Sequence, residues 1–146
     1  MTSKTIGIGS DHAGFSLKEQ ILKYLLDNNY APVDFGCYNS NSVDYPDYAH
    51  QVADSVSKGD FNFGILICGS GQGVCITANK HNGIRASLSW NSEIASLSRQ
   101  HNDSNILCLP ARFITYEQSI DILNCFLNTK FEGGRHSNRV LKIESF

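Results

Sequence analysis

Short apolar runs alternate with helix-period segments along the chain. Thr5 to Gly9 is a compact run that predicts a buried strand. Phe15, Leu17, Ile21, Leu22, Leu25 and Leu26 then recur at helical spacing, and Asn28-Asn29 stops that helix. Ala31 to Phe35 predicts a second strand, closed by Gly36, and Pro46 suits the first turn of a helix running to Lys58. Phe63 to Cys68 is apolar on both faces, as expected inside a parallel sheet. A helix over Gly71 to Lys80 comes next, then a strand over Ile84 to Leu88 and a helix over Ser92 to Gln100. A strand over Ile106 to Leu109, a helix over Tyr116 to Leu127 and a short last helix near Ser137 to Glu144 complete the series.

Five strands alternating with helices predict a parallel sheet covered on both faces. Right-handed crossovers make this an α/β fold, a Rossmann-like three-layer α/β/α sandwich with a five-stranded parallel sheet. Its 146 residues amount to one domain, too short to enclose a large site between two domains. In such sheets ligands bind beyond the carboxyl ends of the strands, so chemistry is sought there.

Polar and glycine-rich residues do collect at those ends. Ser10-Asp11-His12-Ala13-Gly14 follows the first strand, and Gly69-Ser70-Gly71-Gln72-Gly73 follows the third. Ser89-Trp90-Asn91 follows the fourth, and Ala111-Arg112 the fifth. Glycines at 69, 71 and 73, between a strand and a helix, allow backbone N–H groups to face a phosphate or a developing oxyanion. The same loop also reads as a tight strand–helix turn. No Gly-Lys-Ser/Thr follows it and no GxGxxG fingerprint occurs, so nucleotide binding is not indicated.

Cys68 stands at the mouth of the glycine loop, where a helix N-terminus favours thiolate, and it suits a nucleophile or a proton-transfer base. The alternative is a small buried hydrophobe, the reading given to Cys108 and Cys125. Asp11 beside His12 reads equally as a helix cap with a first-turn histidine. His101 reads equally as a C-terminal helix residue facing the helix dipole. His50 and His81 have no special setting.

Composition narrows the function classes. The formal net charge of -2 argues against a nucleic-acid-binding surface. Charge is uneven, however. Residues 1 to 98 carry six Lys/Arg and nine Asp/Glu, for -3, and residues 99 to 146 carry six and five, for +1. Arg99, Arg112, Arg135 and Arg139 lie in the later part, and Arg135 and Arg139 share a helical face. They suit a phosphate, or simply a solvated face. The five cysteines include no CxxC pair, which suggests free thiols in a reducing cytoplasm and no zinc ribbon. The first residues show no apolar signal core, and no apolar run approaches the roughly 18 residues that span a membrane.

Seven segments, in order and nearly end to end, resemble type B ribose-5-phosphate isomerases. They are Asp11-His12-Ala13-Gly14, Asp44-Tyr45-Pro46, Gly64 to Gly71, Ala78-Asn79-Lys80, Gly83-Ile84-Arg85-Ala86, Ser98 to Asp103 and Gly133-Gly134-Arg135-His136. The superfamily also holds galactose-6-phosphate and allose-6-phosphate isomerases, the alternative reading. The resemblance implies an aldose–ketose isomerase of sugar phosphates with no cofactor and no metal. It implies that Cys68 is the base, that Gly69, Gly71 and Gly73 lie in the loop whose N–H groups hold an enediolate, and that Ser70 and His101 open the furanose ring. It implies sugar contacts from Asp11, Tyr45 and Asn102, and phosphate contacts from His12, Arg112, Arg135 and Arg139. Ser70 stands where some members have Thr, which keeps the hydroxyl. Val74 stands where another branch places a Glu base, so this chain goes with the cysteine branch. The resemblance further implies a homodimer or dimer of dimers with shared sites, the segment near 130–146 contacting the partner, and no nucleic-acid or membrane partner.

Overall fold

The computed structural model describes residues 4–146. Residues 1–3, which begin the expected domain and the expected leaderless start, lie outside the described residues. The first strand, β1 (Thr5–Ser10), leads into α1 (Phe15–Asp27), then β2 (Ala31–Asp34) and α2 (Tyr45–Ser57). β3 (Phe63–Cys68), α3 (Gln72–Ala78), β4 (Ala86–Leu88) and α4 (Ser92–Asn102) come next. β5 (Ile106–Pro110), α5 (Tyr116–Asn128) and α6 (Arg135–Ile143) complete the chain. The five strands form one sheet in the order β2-β1-β3-β5-β4, and every pair is parallel.

The strand period of two divides the core. Ile65 and Ile67 of β3 face one side, with Ile6, Ile8, Leu107 and Leu109, beneath α1, α4 and α5. Leu66 and Cys68 face the other, with Ile106 and Cys108, beneath Val52 and Ala53 of α2 and Val74 and Ala78 of α3. Ile65, Leu66 and Ile67 are wholly buried, so β3 is covered on both faces as its composition predicts. Cys68 thus belongs to the α2/α3 face.

Some boundaries differ from the sequence reading. β4 begins at Ala86 and not Ile84, because the Arg85 backbone is occupied before the ladder starts. Its N–H donates to the Asn105 side chain and its carbonyl accepts from the Asn105 N–H. α6 begins at Arg135, two residues early, after Gly133 and Gly134 turn with φ of 65° and 55°.

One buried charge sits on the apolar face of α1, in helical register with Ile21, Leu22 and Leu25. Lys18 is 0% exposed and donates to both carboxylate oxygens of Asp34, at 2.7 and 2.8 Å, and to Glu19 at 3.1 Å. It ties α1 to the end of β2. Lys18→Met strands the Asp34 carboxylate, and the expected loss is about 2 to 3 kcal/mol of stability, read as a lower urea midpoint. An unchanged midpoint would show that the pair only breaks even with an apolar side chain.

Candidate active site

Chain direction reverses between β1 and β3. From β1 the chain crosses to β2 on one side, and from β2 it returns to β3 on the other. Crevices open at such switch points, outside the carboxyl ends of the strands. A cavity of about 580 Å³ lies there, lined by Asp11, His12, Tyr45, Cys68, Ser70 and Arg112 together with Ala13, Gly69, Gly73 and Phe113.

Each polar wall has a local cause. Asp11 is buried, its N–H donates to the Ile67 carbonyl at 3.3 Å, and its Oδ1 accepts the Gly14 N–H at 3.1 Å. The capping-type bond and the cavity position therefore hold together. The Val43 N–H donates to His12 Nδ1 at 3.2 Å, so Nε2 is the nitrogen that carries the proton. Tyr45 opens α2 after Asp44 in an extended conformation, with Pro46 in the first turn. Its ring lies over Gly73, where an added Cβ would stand 2.5 Å from Tyr45 Cζ.

The glycine loop is shaped by the same close approaches. Gly71 caps α3 with φ 73°, a left-handed conformation, and a Cβ there would meet Leu88 at 2.4 Å. Ser70 is exposed, and its Oγ accepts the Gln72 N–H at 3.3 Å. The Arg112 N–H donates to the Gly69 carbonyl at 3.0 Å, and its guanidinium lies against Gly69, where a Cβ would be 3.0 Å from Nη1. Cys68 is 5% exposed and opens to this cavity. Cys108, on the neighbouring strand, is fully buried, and burial pushes its thiol well above the usual range. One thiol therefore faces a ligand space while its neighbour packs.

Four of the expected site residues lie elsewhere in the chain. His101 and Asn102 end α4, and the Asn102 carbonyl accepts from Arg85 Nε at 3.0 Å, beside the start of β4. Cys68 pairs with Pro110 at the end of β5. A strand of that length spans roughly 16 Å, so α4 delivers His101 to the opposite edge of the sheet. Arg135 and Arg139 are exposed on α6 at that same end.

There His101 stacks on His136, with ring centroids 4.4 Å apart and planes 17° from parallel. Glu132 Oε2 lies 3.5 Å from His136 Nε2. Burial holds His136 below the usual histidine range; His101 and Arg135 push the same way and Glu132 opposes them. The sequence reading missed this cluster, because His101 is thirty-odd residues from its neighbours. It also missed Ala13 and Phe113 as cavity walls; an aromatic just after Arg112, beyond a strand end, was the available signal.

A second cavity, of about 550 Å³, is lined by Lys4, Phe63, Arg85, Arg99 and Asp103 with Asn62 and Asn105. It holds no thiol or hydroxyl, and Asp103 already pairs with both arginines. No helix among the described residues is long and apolar enough to cross a membrane.

A family model described as Ribose/Galactose Isomerase matches residues 6–143. The ribose-5-phosphate isomerase B of Escherichia coli is 44% identical over 140 residues, covering 96% of this chain and 94% of that protein. The crystal structure of the Thermotoga maritima ribose 5-phosphate isomerase superposes with a TM-score of 0.97 at 46% identity, covering 99% of this chain and 100% of that one. That of Mycoplasma genitalium ribose-5-phosphate isomerase B, with ribulose-5-phosphate bound, gives 0.93 at 46% identity over 98% of this chain and 95% of that one.

Proposed function

Since the chain belongs to the ribose/galactose isomerase family, we propose that it interconverts ribose 5-phosphate and ribulose 5-phosphate through an enediolate. The observation that carries this reading is Cys68 beside the glycine loop, opening to a cavity that Asp11, His12, Tyr45 and Arg112 also line. Relatives named ribose-5-phosphate isomerase B, one holding ribulose-5-phosphate, support it. Such an enzyme serves the non-oxidative pentose phosphate pathway. Five unpaired thiols suit a cytoplasmic setting.

Isomerisation needs a base, an oxyanion site and an anchor for a dianion. Cys68 Sγ, as thiolate, takes the C2 proton of the open-chain aldose. The C–H electron pair becomes the C1=C2 bond and O1 takes the negative charge. N–H groups of the 69–73 loop hold that charge. The thiol then returns its proton to C1 as O2 becomes the carbonyl, and one proton passes from O2 to O1. Asp11 and Tyr45 hold sugar hydroxyls, and His12 and Arg112 hold the phosphate. The phosphate is remote from the reacting carbons, so its binding energy positions them.

The four residues at the far edge enter this scheme from a second copy of the chain. In a homodimer, or a dimer of dimers, the partner's His101 joins Ser70 in opening the furanose ring. Asn102 of the partner subunit contacts the sugar, and the partner's Arg135 and the partner's Arg139 complete the phosphate anchor. Two features support this arrangement. Within one chain the sheet separates the two groups. The segment from about residue 130 onward also presents an unused apolar surface: α6 buries only His136, and Leu141 and Ile143 are exposed, as is Phe113 at the cavity rim.

Turnover on ribose 5-phosphate, allose 6-phosphate and galactose 6-phosphate tests the substrate. We expect ribose 5-phosphate to exceed either six-carbon sugar by about tenfold or more in kcat/KM, because one extra carbon is worth about 1 to 3 kcal/mol in a fitted site. A six-carbon preference would overturn the five-carbon reading and retain the isomerase.

A further inference from the structure

The cluster of His101, Glu132 and His136 does more than stack two rings. Among the described residues, one nitrogen from each histidine and a carboxylate oxygen lie within 4.8 Å of one another. Backbone bonds hold the three in place. The Glu132 N–H donates to the Gln100 carbonyl at 3.0 Å, which fastens the segment before α6 onto the last turn of α4. The His136 N–H donates to the Gly133 carbonyl at 3.0 Å, which sets the first turn of α6 over His101. His136 is the one buried residue of α6, at a position where an amphipathic helix would ordinarily place an apolar side chain.

Two imidazoles and one carboxylate are the donor set of open zinc sites that keep a fourth position for water or substrate. Imidazole donors favour zinc, cobalt and nickel over magnesium or calcium. Bonds of about 2.0 to 2.1 Å in a tetrahedron put donor atoms about 3.4 Å apart. The donor atoms therefore need to close by up to about 1.4 Å, and the two rings, 17° from parallel, need to turn until their in-plane lone pairs converge, a rotation left to the exposed Glu132 and the half-buried His101.

We propose that His101, Glu132 and His136 bind a single divalent ion of the zinc type, and that its occupation withdraws His101 from ring opening. The inhibitory half rests on the ring-opening role proposed above; the binding half does not. The ion acts as a reversible brake and takes no part in the chemistry. It occupies the imidazole lone pair that His101 needs for proton transfer, and it adds positive charge beside Arg135 and Arg139.

Cobalt(II) is the probe, because its visible bands report a low-symmetry nitrogen and oxygen site. In the full-length Cys68→Ala chain, which removes the competing thiol of the cavity, we expect one cobalt per chain. The bands should carry no thiolate charge-transfer component. Glu132→Gln and His101→Asn should each weaken that binding by about tenfold or more. In the wild-type chain, zinc should inhibit turnover of cyclic ribose 5-phosphate, and a chelator should restore it. Glu132→Gln should keep its basal turnover and need about tenfold more zinc for the same inhibition. Absence of cobalt bands, or bands unchanged in both variants, would overturn the site. Inhibition equally strong in Glu132→Gln would overturn the brake and place the metal on Cys68. Cobalt binding without inhibition would overturn the brake and count against His101 in ring opening, while turnover on ribose 5-phosphate would still judge the isomerase assignment.

Discussion

Cys68→Ala should lower turnover on ribose 5-phosphate by about 10³- to 10⁴-fold, the upper part of the range for loss of a positioned base. No other thiol can take its place. Cys108 is wholly buried, and Cys75, on α3, contacts the Ala86 carbonyl at 3.4 Å, away from the cavity. The substitution removes one sulfur from a side chain already 5% exposed, so the fold and the phosphate anchor should persist. Steady-state kinetics, with sugar-phosphate binding by calorimetry as the control, separates the two effects. Binding should stay within a few-fold while turnover collapses. Near-normal turnover would remove Cys68 from the reaction.

The second large effect is a recovery. Cys68→Ala and His101→Asn, each nearly inactive on cyclic substrate, should regain about a quarter of wild-type activity when unfolded and refolded together in equal amounts. In a twofold dimer with shared sites, half of the mixed population is heterodimer. One site of each heterodimer carries both lesions, and the other pairs an intact Cys68 with an intact His101. Half of half the sites then work. If the two residues act within one chain, mixing restores nothing, and the shared-site proposal fails.

Local signals made most of this fold legible. Phe63–Cys68 could be read as a doubly covered strand because six apolar or small residues sit together with no period, and the strand runs over those residues. The crevice position came from alternation alone, and Asp11, His12, Cys68 and Arg112 stood out because each lies at or just beyond the carboxyl end of a strand. The features that stayed hidden depend on contacts distant in sequence. Strand order is set by which crossover each helix takes. Lys18 lies on the buried face of α1 by its spacing to Ile21, Leu22 and Leu25, but its charge argues for solvent, and the partner that lets it be buried, Asp34 on β2, is sixteen residues away. The His101, Glu132 and His136 group depends on where α6 lands on α4. Sequence placed His101 at a helix end and at a strand-proximal site alike, because a helix between parallel strands ends at the edge from which the next strand starts.

Gly14 carries a mechanical consequence. A Cβ there would stand 2.6 Å from the Ile67 carbonyl oxygen, the same oxygen that accepts the Asp11 N–H. The turn after β1 is thus pressed onto the peptide just ahead of Cys68, with no side chain between them to flex. Asp11, His12 and Cys68 are carried on one closely packed jaw, with little slack between them for admitting or releasing a sugar. Under the shared-site arrangement, opening falls to the opposing jaw on the second copy. The pace of product release would then be governed by how firmly two chains grip one another.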